Sequence, residues 1–215
     1  MFRKTLIGII GFCSLTVAII SNASATVIDA TLTADNHFGL YVGDDDGTNI
    51  DYIGRDSATW TTTDDFSFNA NNGQRLFVYA WDHGGPQSFI GQFTGWNGEL
   101  LTNTQDWEWT LMGTSESDPG STGSPLSSGA LETALLSAQW QNVGWSAPNG
   151  SSPWGTFSNI DSNANYIWGD GSNTTSAVVV FRSTQLRISD VPEPAPLALL
   201  GLGLMGLGMA RKRRK

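Results

Sequence analysis

The run Leu76-Phe77-Val78-Tyr79-Ala80-Trp81 decides the fold. Side chains alternate faces along a strand, so a run that is apolar at every position needs cover on both sides and reads as a central strand. The segments around it keep the same period. Residues 27–33 alternate, Phe38, Leu40 and Val42 share one face, Phe66 and Phe68 share another, and Trp107 and Trp109 alternate with Asp106 and Glu108. Further runs cover residues 166–168, 177–181 and 186–188. Clusters of Gly, Asn, Asp, Ser and Thr separate them, as in sandwiches and barrels. Eight or nine strands are expected, and a two-sheet jelly roll is their economical arrangement.

One segment departs from this period. Residues 130–140 place Leu131, Leu135 and Leu136 at helical spacing with Glu132 near the start, and Ser128 or Gly129 could cap the helix. Before it, residues 113–128 are rich in Ser, Gly, Pro and Thr and read as a long mobile surface loop. Residues 26–190 number 165, enough for one domain that buries about 70% of its unfolded surface. The expected architecture is mainly β: a single jelly-roll or β-sandwich domain with one short helix, flanked by an N-terminal signal helix and a C-terminal transmembrane helix.

The 215-residue chain has a net charge of −9, and the average hides a contrast. Residues 26–190 hold 19 acids but no lysine, and only Arg55, Arg75, Arg182 and Arg187 oppose them, for a net −15. Affinity for phosphate backbones comes from clustered cations, so no nucleic-acid partner is expected. The remaining cations lie at the two ends.

Residues 1–25 open with Arg3 and Lys4, continue through an apolar run at 6–20 and close on Ala23-Ser24-Ala25. This is the pattern of a signal peptide cut between Ala25 and Thr26. Cys13, the one cysteine, would leave with it, so disulfides, thiolate metal ligands and a cysteine nucleophile are excluded from the mature chain. Phe12 before Cys13 argues against a lipid anchor.

At the other end Val191-Pro192-Glu193-Pro194 precedes sixteen uncharged residues, 195–210, and then Arg211-Lys212-Arg213-Arg214-Lys215. At about 1.5 Å per residue the apolar run covers about 24 Å, a short transmembrane helix whose flanks would snorkel. The basic cluster would stop in the cytoplasm and leave residues 26–190 outside it.

That tail, residues 191–215, resembles the PEP-CTERM sorting signal of Gram-negative bacteria in the order, spacing and position of its three parts. The resemblance implies an exosortase as processing partner, cutting near Pro192-Glu193-Pro194, an inner-membrane precursor with a cytoplasmic C-terminus, and delivery to the cell surface or an exopolysaccharide (biofilm) matrix. The middle resembles galactose-binding-like jelly rolls of bacterial surface proteins. It does so through Thr33-Ala34-Asp35-Asn36-His37-Phe38, Leu40-Tyr41-Val42, residues 76–81, Pro153-Trp154-Gly155, Ala164-Asn165-Tyr166-Ile167-Trp168 and Phe181-Arg182. That family includes carbohydrate binders and members without a ligand, so the fold alone does not give the function.

All nine tryptophans lie within residues 26–190. Trp81, Trp107, Trp109 and Trp168 fall in strand runs and are expected in the core. Trp96, Trp145 and Trp154 sit among Gly, Asn and Pro and are the candidates for stacking on sugar rings. Asp44, Asp46 and Asp51, around Gly47, could hold Ca²⁺, although a solvated hairpin explains the same residues; no cofactor is required. Asp35 and His37 precede one strand, and Asp82 and His83 follow another; they would form a metal or hydrolytic site only if those strand ends meet. Asp106 and Glu108 share one strand face and are the remaining pair for glycoside hydrolysis. No G-x-S-x-G, H-E-x-x-H or P-loop motif is present. The expectation is an exported, non-catalytic surface or matrix protein that binds carbohydrate, with a purely structural matrix protein and a polysaccharide hydrolase as alternatives.

Overall fold

A computed structural model describes residues 25–57, 59–96, 98–113, 119–172 and 178–186. In chain order these form β1 (Thr26–Asp35), β2 (His37–Gly43), β3 (Asp51–Arg55), β4 (Asp64–Ala70), β5 (Arg75–Trp81), β6 (Ser88–Trp96), β7 (Gly98–Leu101) and β8 (Trp107–Gly113). Then come α1 (Ser128–Leu135), β9 (Gln141–Asn142), β10 (Trp145–Pro148), β11 (Asn165–Trp168) and β12 (Val178–Ser183). Among the described residues the strands make two antiparallel sheets. The first runs β10-β11-β6-β1-β4, with β7 also on β6; the second runs β3-β2-β5-β12-β8-β9.

The apolar run is central, as its pattern requires. β5 lies between β2 and β12, with Leu40 opposite Val78 on one side and Phe181 opposite Val78 on the other. Its Leu76, Val78 and Ala80 enter the space between the sheets with Phe38 and Leu40 of β2, Ile28 and Leu32 of β1, and Phe89 and Phe93 of β6. Its Phe77, Tyr79 and Trp81 point the other way, into a second cluster with Tyr41, Val178, Val180, and Leu131 and Leu135 of α1. A third cluster, Ile90, Trp154, Ile160, Ala164 and Tyr166, covers the outer face of the first sheet. Full burial of each such Leu, Ile or Phe contributes about 1.5–3 kcal/mol, so covering both outer faces stabilises a sheet that alternation alone would leave half wet.

Several expectations are corrected. The helix spans Ser128–Leu135 with Ser127 as its N-cap, rather than residues 130–140 capped by Ser128 or Gly129. Leu131 and Leu135 fill the face toward the sheet, while Leu136 is 83% exposed. The supposedly mobile loop is tied down over residues 119–127. The Trp81 indole N–H donates to the Gly120 carbonyl at 3.2 Å, Arg55 Nη1 to that of Gly123 at 2.7 Å, and the Tyr41 hydroxyl to that of Leu126 at 2.6 Å. Leu186 is not in a strand; it docks by hydrogen bonds with the backbones of Gly73 and Gln74. β6, β7, β9 and β10 exceed the expected strands. The signal helix, expected over residues 1–25, lies outside the described residues except for Ala25, and the transmembrane helix at 195–210 lies wholly outside them.

The connections place the polar residues. Asn36 alone separates β1 from β2, so the chain passes from one sheet to the other in a single step. Residues 82–87 cross back from β5 to β6 at the same end, where Asp35 faces Ser88 and His37 faces Trp81.

Candidate functional site

Two of the three candidate tryptophans meet on the outer face of the first sheet. Trp145 starts β10 opposite Trp168, and its ring lies 5.8 Å from that of Trp154. Trp154 packs 5.0 Å from Tyr166, and Phe157 lies 6.3 Å from Tyr166 on the same face. Burial pushes the Tyr166 phenol up to about 12. Trp154 is not the exposed platform that its loop position suggested. It is 8% exposed, its neighbours Ile160 and Ala164 close over it, and its indole N–H donates to Asp35 Oδ2 at 2.8 Å. Trp145 is half-buried. Trp96 ends β6, its backbone paired with Gly98 of β7.

Beside this aromatic layer lies an open cleft of about 360 Å³ between β6 and residues 149–162, lined by Gln92, Asn149, Phe157, Asn159 and Asp161 among others. Sequence reasoning missed it because its residues are ordinary loop residues. The signal that could have marked it is Asn149, whose amide serves as a clamp. Its Nδ2 donates to the carbonyls of Phe157 and Ile160, and its Oδ1 accepts from the Phe157 N–H at 3.0 Å.

The strand ends carrying the two histidines do meet. His37 Nδ1 lies 2.6 Å from Asp56 Oδ2, and the imidazole stacks 5.3 Å from Trp81 and meets His83 edge-on at 4.9 Å. Asn36 Oδ1 accepts from the His83 N–H at 2.6 Å, Asn36 Nδ2 donates to Asp35 Oδ1, and Asp82 Oδ2 accepts from the Gly84 N–H. Burial pushes the Asp35 carboxyl up to about 6, against the indole bond that favours its charged form, and the nearby Asp82 adds to the rise. These bonds fix the corner where the chain changes sheets. Among the described residues, no three His, Cys, Asp or Glu are arranged to hold a metal ion.

In the acidic hairpin the carboxylates of Asp44 and Asp46 bond within the turn. Asp46 Oδ1 accepts from the Thr48 N–H and hydroxyl, Asp44 Oδ2 accepts from Asn49, and Asp51 is exposed at the start of β3. Asp45 pairs with Arg75, and that hydrogen bond holds its carboxyl below the usual range. The hairpin also docks on the helix, where the Ile50 N–H donates to Glu132 at 2.8 Å.

The pair weighed for hydrolysis is divided between two environments. Glu108 accepts from Arg182 Nε at 2.7 Å, and that guanidinium lies 4.1 Å over the Trp140 ring. Asp106 accepts from Asn103 Nδ2 at 2.8 Å and lines a second cleft, of about 500 Å³, with Arg75, Glu99 and Leu186.

The processing residues Val191, Pro192, Glu193 and Pro194 and the cluster from Arg211 to Lys215 lie outside the described residues; Thr26 is the first residue of β1, paired with Ala70. Among the described residues no helix is long and apolar enough to cross a membrane. Residues 190–214 match the family model of the PEP-CTERM protein-sorting motif. No curated protein and no solved structure matches the chain. The motif makes this an exported protein, sorted by an exosortase and processed at the cell envelope.

Proposed function

We propose that the chain is a non-catalytic surface or matrix protein of a Gram-negative bacterium, exported by its signal peptide, held briefly by its C-terminal helix and released into an exopolysaccharide matrix that it binds through neutral sugars. The observation that carries this reading is the sorting motif at 190–214, beginning four residues after Leu186, which is 2% exposed and bonded to the Gly73–Gln74 turn. Removal of the tail would therefore leave the sandwich intact. A display role without catalysis is supported by four acids that are engaged in structure: Glu108 with Arg182, Asp106 with Asn103, Asp56 with His37 and Asp35 with Trp154. The domain's net charge of −15 disfavours anionic polysaccharide and leaves neutral glycan as the partner. The role requires no cofactor. Co-sedimentation with the host's secreted polysaccharide tests the glycan role: the chain should pellet with it at physiological salt. A chain that is surface-delivered but stays in the supernatant would be a purely structural matrix component.

A further inference from the structure

The 360 Å³ cleft between β6 and residues 149–162 falls within the range of small-molecule sites, about 300–1,000 Å³. Among the described residues Asp161 is its one ionisable lining residue, and Asp161 Oδ1 already accepts from the N–H and Nδ2 of Asn163 at 2.7 and 2.9 Å. The larger cleft, by contrast, is lined by Arg75, Glu99 and Asp106. The smaller one, with a single carboxylate and no cation among its described lining residues, thus disfavours an anionic ligand and can accept from hydroxyls. Its wall is held before any ligand arrives, by the three bonds of Asn149 and by the Asp161 N–H, which donates to Gln92 Oε1 at 2.7 Å. A wall already in place lowers the ordering cost of binding.

With the wall fixed, some of its polar groups keep hydrogen-bonding capacity to spare. Ser158 and Ser162 are exposed, and neither hydroxyl bonds to a described residue. Asn159 donates through Nδ2 to Thr63, which leaves its Oδ1 as an acceptor, and Gln92 keeps its Nε2 as a donor. Phe157, half-buried against Tyr166, supplies the apolar surface. An aromatic face flanked by hydroxyl and amide groups of both hydrogen-bonding senses is complementary to a pyranose, with its C–H face and ring of hydroxyls. We infer that this cleft is the glycan site, with Phe157 in place of the tryptophans as its platform; the inference rests on the carbohydrate-binding role proposed above.

The test is calorimetric titration of the full chain, in a sugar-free zwitterionic detergent, with neutral tetrasaccharides of glucose, galactose and mannose. At least one should bind, and Phe157→Ala and Ser158→Tyr should each weaken it tenfold or more. Ser158 is exposed at the rim, so Ser158→Tyr blocks the cleft without changing the melting temperature and decides the matter if Phe157→Ala fails to fold. Binding by Ser158→Tyr equal to that of the wild-type chain would overturn the assignment of this cleft while leaving the glycan role standing. No binding of any tetrasaccharide by the wild-type chain would overturn both.

Discussion

Thr102 is fully buried at a fork in the first sheet, where β6 pairs with β11 near Phe89 and with β7 from Gln92 onward. Its hydroxyl accepts from the Gly91 N–H at 3.1 Å and donates to the Asn165 carbonyl at 2.7 Å, so it joins both branches. Thr102→Val keeps the shape but strands a buried donor and a buried acceptor. It should cost about 1–3 kcal/mol in denaturant unfolding, and Thr102→Ser much less. Asp35 gives a second test at this scale. Its carboxyl titrates near 6 in the fold against 3.8 in the unfolded chain, so its contribution to stability is greatest below about pH 4 and is lost as pH rises through 6. Asp45, held low by Arg75, acts in the opposite sense and only at more acidic pH. The melting temperature of Asp35→Asn relative to wild type should therefore rise between pH 4.5 and pH 7; a constant difference would show that Asp35 is not a buried carboxylate. Neither role was legible in the sequence. The Trp154–Asp35 bond joins residues 119 positions apart, and a tryptophan between Pro153 and Gly155 looks exposed until Ile160 and Ala164 are folded over it.

At the level of elements, hydrophobic period carried most of what could be read. β5 declared its central place because both of its faces are apolar, and β1, β2 and β12 followed from their own patterns. β6 escaped because Gly91, Gln92, Thr94 and Gly95 interrupt it, and the interruptions have structural causes. A Cβ on Gly91 would lie 2.9 Å from that of Leu32, and one on Gly95, at φ 121°, would lie 2.0 Å from the Val27 carbonyl oxygen. The helix was found by its leucines but its end was misplaced, since sequence spacing does not say how far the covered surface extends. That difference is measurable. Leu131→Ala, in the cluster beneath the helix, should cost about 2–5 kcal/mol, whereas Leu136→Ala, at 83% exposure, should change stability by less than about 0.5 kcal/mol. Equal losses would mean that the helix continues past Leu135 and buries both residues.

For the whole molecule, destination was far more legible than activity. A sorting signal is read locally, from the order of a motif, an apolar run and a basic end, so Pro192-Glu193-Pro194 and its surroundings could be recognised without the fold. A binding cleft is assembled from distant segments, here Gln92 of β6 and the loop held by Asn149, and no linear pattern announces it. The sandwich ties its last described residue, Leu186, into its own backbone, where it is 2% exposed. Removal of the tail at the envelope is tested by intact-mass measurement of the chain recovered from the cell surface or extracellular matrix. The predicted species begins at Thr26 and ends within residues 191–194. A surface-located species that still carries Arg211-Lys212-Arg213-Arg214-Lys215 would contradict it.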